Sequence, residues 1–92
     1  MAEYKVKSWV AFFQAFKTGA KKHDMRDLKD RNYKVGDTLI LEEYDPFKGE
    51  YTGDAMKMKI TYITSRETPC AFSSAALDSN YCILSLEPVS NV

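Results

Sequence analysis

The sequence predicts an α+β domain, mainly β, with one amphipathic helix near the N-terminus and a small β-barrel or curled sheet after it. Three observations carry this reading. The chain has 92 residues, room for one hydrophobic core but not two. Trp9, Phe12, Phe13 and Phe16 recur at the spacing of one helical face. From residue 38 onward, apolar runs alternate with short connections containing Gly or Pro, the pattern of successive strands. Residues 1–92 are therefore expected to form a single domain.

Residues 3–7 alternate in character and suggest a short first strand. Ser8 offers a side-chain oxygen to cap the helix that follows. The four aromatics are expected to pack into the core, because burying such a stripe contributes several kcal/mol by area. Gly19 suits the left-handed residue that ends the helix. Residues 20–37 are polar and basic, and read as an exposed strand followed by an irregular crossing.

Val35-Gly36-Asp37 provides turn chemistry just before the aliphatic run 38–44, which suits a buried strand. Pro46, Gly49 and Gly53 then favour a hairpin connection. Across 56–63, Met56, Met58, Ile60 and Tyr62 fall on one face, with Lys57, Lys59 and Thr61 on the other. Pro69 interrupts the next stretch, where residues 73–77 are expected to make a helical turn. Residues 81–86 return to strand character with Cys82, Leu84 and Leu86 on a shared face. The strands should be mainly antiparallel, and closing them into a barrel would remove exposed edges.

Composition narrows the function. Hydrophobic residues make up 45% and charged residues 28%, close to ordinary globular usage, which argues against a disordered tail. No apolar run approaches the ~20 residues that span a bilayer, and the first ten residues lack the apolar stretch of a secretory signal. A soluble, cytoplasmic protein without membrane association is expected. One histidine argues against the common zinc constellations, and no acidic alternation around a glycine resembles a calcium loop. Neither a metal nor a cofactor is expected. Cys82, in an apolar run, reads as a buried inert thiol, whereas Cys70 follows Pro69 in a loop. A Cys70 nucleophile with His23 as its base has no support from spacing.

Net charge is zero, yet it is unevenly distributed. Residues 17–34 hold seven basic and three acidic side chains, an excess of four, and the remaining chain carries the balancing four negative charges. Lys21, Lys22, Arg26 and Arg31 can therefore present a positive surface on a neutral protein. Arginine supplies a planar bidentate donor to phosphate and lysine a point charge. The competing reading is a solvated face on which Asp24, Asp27 and Asp30 offset these charges.

Residues 19–27 (GAKKHDMRD), followed by residues 30–37 (DRNYKVGD) and the strand that opens at Thr38, resemble the ASCH domains of the PUA-like superfamily. The likeness is strongest to the small, often phage-encoded branch known as DUF3850. In that pattern a helix ends in a small residue plus Gly, a Lys-rich strand follows, and a Tyr-Lys-Val-Gly-Asp turn opens the next strand. Residues 50–53, 60–63 and 81–84 also fit, so the resemblance covers about residues 4–87.

The resemblance implies a small β-barrel with a helix beside a cleft, on a scaffold associated with RNA and modified nucleosides. Some ASCH proteins resemble amidohydrolases in which a lysine, a threonine three positions later and a downstream glutamate act on acetylated cytidine. Lys21 matches the lysine, but Asp24 stands where the threonine would be, and Glu67 is the nearest downstream acid. The branch pattern also has Thr at Lys22 and Glu at Asp24, and one residue fewer before Tyr33. These departures fall at the implied cleft, whereas the scaffold residues match.

The leading expectation is thus a noncatalytic module that binds RNA, single-stranded nucleic acid or a modified nucleotide through Lys21, Lys22, Arg26 and Arg31, with Tyr33 for stacking. The alternative is a phage-type module that binds a host protein in the host cytoplasm. A hydrolase using Lys21 and Asp24 stands third.

Overall fold

The computed structural model describes residues 1–29 and 31–89. The chain runs β1 (Glu3–Trp9), α1 (Val10–Lys17), β2 (His23–Asp27), β3 (Thr38–Asp45), β4 (Glu50–Thr64), α2 (Ser73–Ala76) and β5 (Tyr81–Pro88). The five strands form one curled half-barrel sheet in the order β1-β3-β4-β5-β2. β1 runs parallel to β3, while the other three pairs are antiparallel. Among the described residues no helix is long and apolar enough to cross a membrane.

Alternation decides what the sheet buries. Leu39 and Leu41 of β3, Met58 and Ile60 of β4, and Cys82, Leu84 and Leu86 of β5 all point to the core, as a period of two requires. Phe13 and Phe16 of α1 join them, with Val6 and Tyr33. α1 has no side-chain cap at its start and is too short to be stable alone. Burial of its two phenylalanines, each contributing roughly 1.5–3 kcal/mol, holds it against β1 and β3.

Local expectations fail where a distant partner overrides them. β1 extends to Trp9 because Ser8 and Trp9 pair with Glu43 and Tyr44 of β3. Ser8 is thus a buried strand residue rather than a helix cap. Trp9 belongs to the strand, so the aromatic stripe divides. Phe13 and Phe16 are buried, whereas Trp9 and Phe12 are 49% and 48% exposed and stack on each other with ring centroids 5.9 Å apart.

Two bulges alter β4. Tyr44 pairs with Tyr51 but Glu42 pairs with Ala55, so Gly53 lies inside the strand at positive φ rather than in the connecting turn. Farther along, Ile60 pairs with Leu86 and Tyr62 with Ser85. The extra residue shifts the strand's phase. Tyr62 turns outward, 57% exposed, and Ile63 packs against the core instead.

The sheet does not close through its backbone. β1 and β2 are its two edges, and side chains join β1 to β2 and to the crossing that follows it, forming a seam. Arg26 Nη2 donates to the Lys7 carbonyl at 2.9 Å, and Arg31 Nη1 donates to the Lys5 carbonyl at 2.9 Å. Tyr4 Oη donates to the Asn32 carbonyl at 3.2 Å. The described residues between β2 and β3, 28–29 and 31–37, form the crossing, which begins with a 2.7 Å bond from the Leu28 N–H to the Asn80 carbonyl. Side chains here satisfy edge carbonyls that a neighbouring strand would otherwise pair.

The crossing ends in a tightly specified turn. Asp37 is buried, and its carboxylate accepts from the N–H groups of Ala2 and Lys34, both at 3.0 Å. Gly36 has φ +97°, and a Cβ there would stand 3.2 Å from the Met1 side chain. Glycine meets both requirements, and the turn launches β3 as its sequence predicts.

Candidate functional site

Two clefts adjoin the seam. The larger, about 730 Å³, lies where the crossing meets the end of β4 and the loop after it. Its volume falls within the ~300–1,000 Å³ usual for small-ligand sites. Lys29 and Arg31 come from the crossing, Tyr62 from β4, and Arg66 and Glu67 from the loop. Three cations therefore face one carboxylate among these five side chains, with an exposed phenol beside them.

The loop is held by its own hydroxyls. Ser65 Oγ accepts from the N–H groups of Glu67 and Thr68, both at 3.2 Å. The Ser65 N–H donates to the Thr68 carbonyl at 3.1 Å, and Thr68 Oγ1 donates to the Ile63 carbonyl at 2.8 Å. This closed turn leaves Arg66 and Glu67 exposed on the cleft wall. In the same cleft, the Arg31 guanidinium carbon lies 5.5 Å from the Tyr4 ring centroid. Cation–π contact and its carbonyl bond thus fix that charge in place.

Tyr33 lines the same cleft but is only 8% exposed, and its ring meets Tyr4 edge to face at 5.1 Å. Burial pushes the Tyr33 phenol up, against the pull of Arg31 and Arg26. The phenol therefore stays neutral at physiological pH, and the residue serves as wall more than platform. Tyr62 presents the accessible ring.

The smaller cleft, about 200 Å³, is lined by Lys7, Trp9, Phe12, Asp24, Met25 and Arg26, with Ser8 at its base. Arg26 Nε donates to Asp24 Oδ2 at 2.7 Å, with both side chains largely covered. Lys21 Nζ lies 5.8 Å from the Phe12 ring centroid and 5.5 Å from that of Phe16. Lys22 is exposed, and its carbonyl accepts from the Leu86 N–H at 2.9 Å. The residues singled out by sequence are thus divided: Arg31 and Tyr33 at the larger cleft, Asp24 and Arg26 at the smaller, Lys21 beside it, and Lys22 lining neither.

Tyr62, Lys29 and Arg66 escaped the sequence reading. Lys29 lies within the basic run, but the alternation across 56–63 puts Tyr62 on the core face, because a bulge leaves no local signature. The cysteines differ as burial dictates. The Cys82 thiol is pushed up by desolvation. Exposed Cys70 is drawn down by the Phe72 N–H, then by the Ser73 hydroxyl. Among the described residues no three His, Cys, Asp or Glu side chains converge as metal ligands.

Comparison with known proteins agrees with the sheet as the unit of similarity. A family model described as a domain of unknown function, DUF3850, matches residues 3–86. An "Uncharacterized 12.9 kDa protein in GpA 3'region" of Escherichia phage P2 is 39% identical over 61 residues, which is 66% of this chain and 53% of that protein. The chain thus matches about half the length of that phage relative. Because the family match runs from the first residue of β1 to Leu86, near the end of β5, and takes in every strand and both clefts' walls, the chain belongs to the DUF3850 family.

Proposed function

We propose that this protein is a noncatalytic module that binds RNA, single-stranded nucleic acid or a modified nucleotide at the larger cleft and along the adjoining seam. The observation that carries the reading is the pairing of an accessible ring, Tyr62, with Lys29, Arg31 and Arg66 around one cavity. A base stacks on a phenol of any sequence context, and phosphates are drawn to the cations. Arg26 at the smaller cleft, with Lys21 beside it and the Trp9–Phe12 stack, extends the same chemistry to the other side of the seam.

The ASCH-like, PUA-like scaffold suggested by the residues around the 35–37 turn is part of this proposal, as is a cytoplasmic site of action. A hydrolytic role for Lys21 and Asp24 has weaker support, since Asp24 supplies no hydroxyl and its carboxylate is engaged by Arg26 at 2.7 Å.

Fluorescence anisotropy with a labelled single-stranded RNA, and separately with free nucleotides, tests the reading. Affinity should fall as salt rises, with a logarithmic slope of about −0.7 per phosphate contacted. Lys29→Glu and Arg66→Glu should each weaken binding roughly tenfold, as loss of a charge-assisted contact does, and Lys22→Glu should weaken it less. Unchanged affinity in all three variants, with the fold intact by circular dichroism, would remove the proposal.

A further inference from the structure

The outer half of the β3–β4 hairpin has a construction that the cleft does not use. Asp45 pairs with Glu50 across the last rung, and the four residues between them close the turn. Asp45 Oδ1 accepts from the N–H groups of Phe47 and Lys48 at 2.9 and 3.1 Å. The Gly49 N–H donates to the Asp45 carbonyl at 2.8 Å, with Gly49 at φ +69°. Pro46 removes further freedom by fixing its own φ.

Behind the turn, Tyr44 and Tyr51 meet edge to face at 5.1 Å, and Lys7 Nζ stands 4.1 Å from the Tyr44 ring centroid. At the tip of this braced arm Phe47 is 99% exposed. The turn fixes the backbone that carries the ring, so binding would cost only the ordering of the phenylalanine side chain. That is the property of an interface anchor.

Charge narrows the occupant. Residues 42–54 contain five acidic side chains and one basic. Glu43 is buried and takes hydrogen bonds from Gln14 and Thr52, and Asp54 pairs with Lys17 at 2.9 Å. Glu42, Asp45 and Glu50 remain along the arm against Lys48 and against Lys7 of β1, which is the register partner of Glu42, so a small negative excess is left. This collar disfavours a polyanion and favours a surface with positive charge.

We infer that Phe47, on the β3–β4 hairpin, is the anchor of a second binding surface that inserts into an apolar pocket of a partner protein whose rim carries Lys or Arg. This surface is separate from the cleft and does not depend on nucleic-acid binding there. Phe47 fills the pocket, and Glu42, Asp45 and Glu50 meet the rim.

The test replaces Phe47 in the full chain with the photoreactive residue p-benzoylphenylalanine and irradiates the cells that produce it. The same replacement at exposed Phe72 serves as control. The expected result is a protein adduct specific to position 47, with the cross-link mapped to an apolar pocket flanked by basic residues. The purified partner should bind the native chain in a salt-sensitive way, about 30-fold more weakly after Phe47→Ala, the scale of an interface hot spot. Cleft binding of RNA should be unchanged by Phe47→Ala.

Adducts no stronger than those at position 72, or adducts to nucleic acid, overturn the inference. So does cross-linking confined to a second copy of this chain, or a partner whose affinity ignores Phe47→Ala.

Discussion

The seam and the hairpin are two ways of finishing the same sheet. At the seam, β1 and β2 stop short of one another; Arg26 bridges them through its side chain, and Arg31 and Tyr4 tie β1 to the crossing that follows β2. At the hairpin, β3 and β4 continue as a backbone ladder beyond the core, and the turn is closed by Asp45 next to it in sequence. The first structure depends on contacts between residues 19 and 26 positions apart, the second largely on neighbours. Their charges are opposite as well, a basic crossing against an acidic arm. A neutral chain can thus carry two surfaces of opposite charge, because each excess is local and water screens one from the other.

The largest effect should come from what both regions share. Phe13→Ala removes a fully buried ring from the helix packed on β1 and β3, and should cost about 3–5 kcal/mol in urea denaturation. Seam and arm should then unfold together. A smaller loss that left one region protected from hydrogen exchange would show that they are separate cooperative units.

The comparison sharpens at the seam. Arg26→Ala with Arg31→Ala removes two bonds to edge carbonyls and leaves the Asp24 carboxylate without its guanidinium, and the pair should cost at least roughly 1–3 kcal/mol. Amide exchange should accelerate in β1 and β2 with little change in the hairpin. Phe47→Ser, by contrast, should leave stability within about 0.5 kcal/mol, as expected for an exposed site that touches little. A drop comparable to the seam variants would mean that the arm supports the fold and does not simply project from it.

The smallest effect concerns the base of the arm. A hydrogen bond from the Lys17 ammonium, then the Ala55 N–H and last the Lys17 charge hold the Asp54 carboxyl below its ordinary value of 3.8. Because the folded value is depressed, the stabilisation is present above pH 3.8 and is lost as pH falls through the folded value. Lys17 is held above its ordinary 10.5 by the Asp54 carboxylate. Its contribution is therefore present below pH 10.5 and lost as pH rises through the folded value. Asp54→Asn should flatten both limbs slightly in thermal melts taken across pH, and the change should shrink in high salt because the pair is exposed.

What the sequence makes legible is local. The 35–37 turn needed Gly36 and Asp37 in adjacent positions, and β5 displayed Cys82, Leu84 and Leu86 two apart, so short-range patterns located both. The candidate site was half legible. Clustered charge marked residues 17–34, but the division of Arg26 and Arg31 between two clefts depends on where the edge of β1 lies.

The chain's own order of residues thus determines that the fold is mainly β, where its main strands and turns fall, and that its charge is polarised. Tertiary structure decided the rest. Pairing with β3 drew Ser8 and Trp9 out of the helix, a bulge near residue 61 turned Tyr62 from core to cleft, and two guanidiniums took the place of a closing strand. Strand partners and bulges are set by which distant segments meet, and a pattern of period two along one segment carries no information about its neighbour.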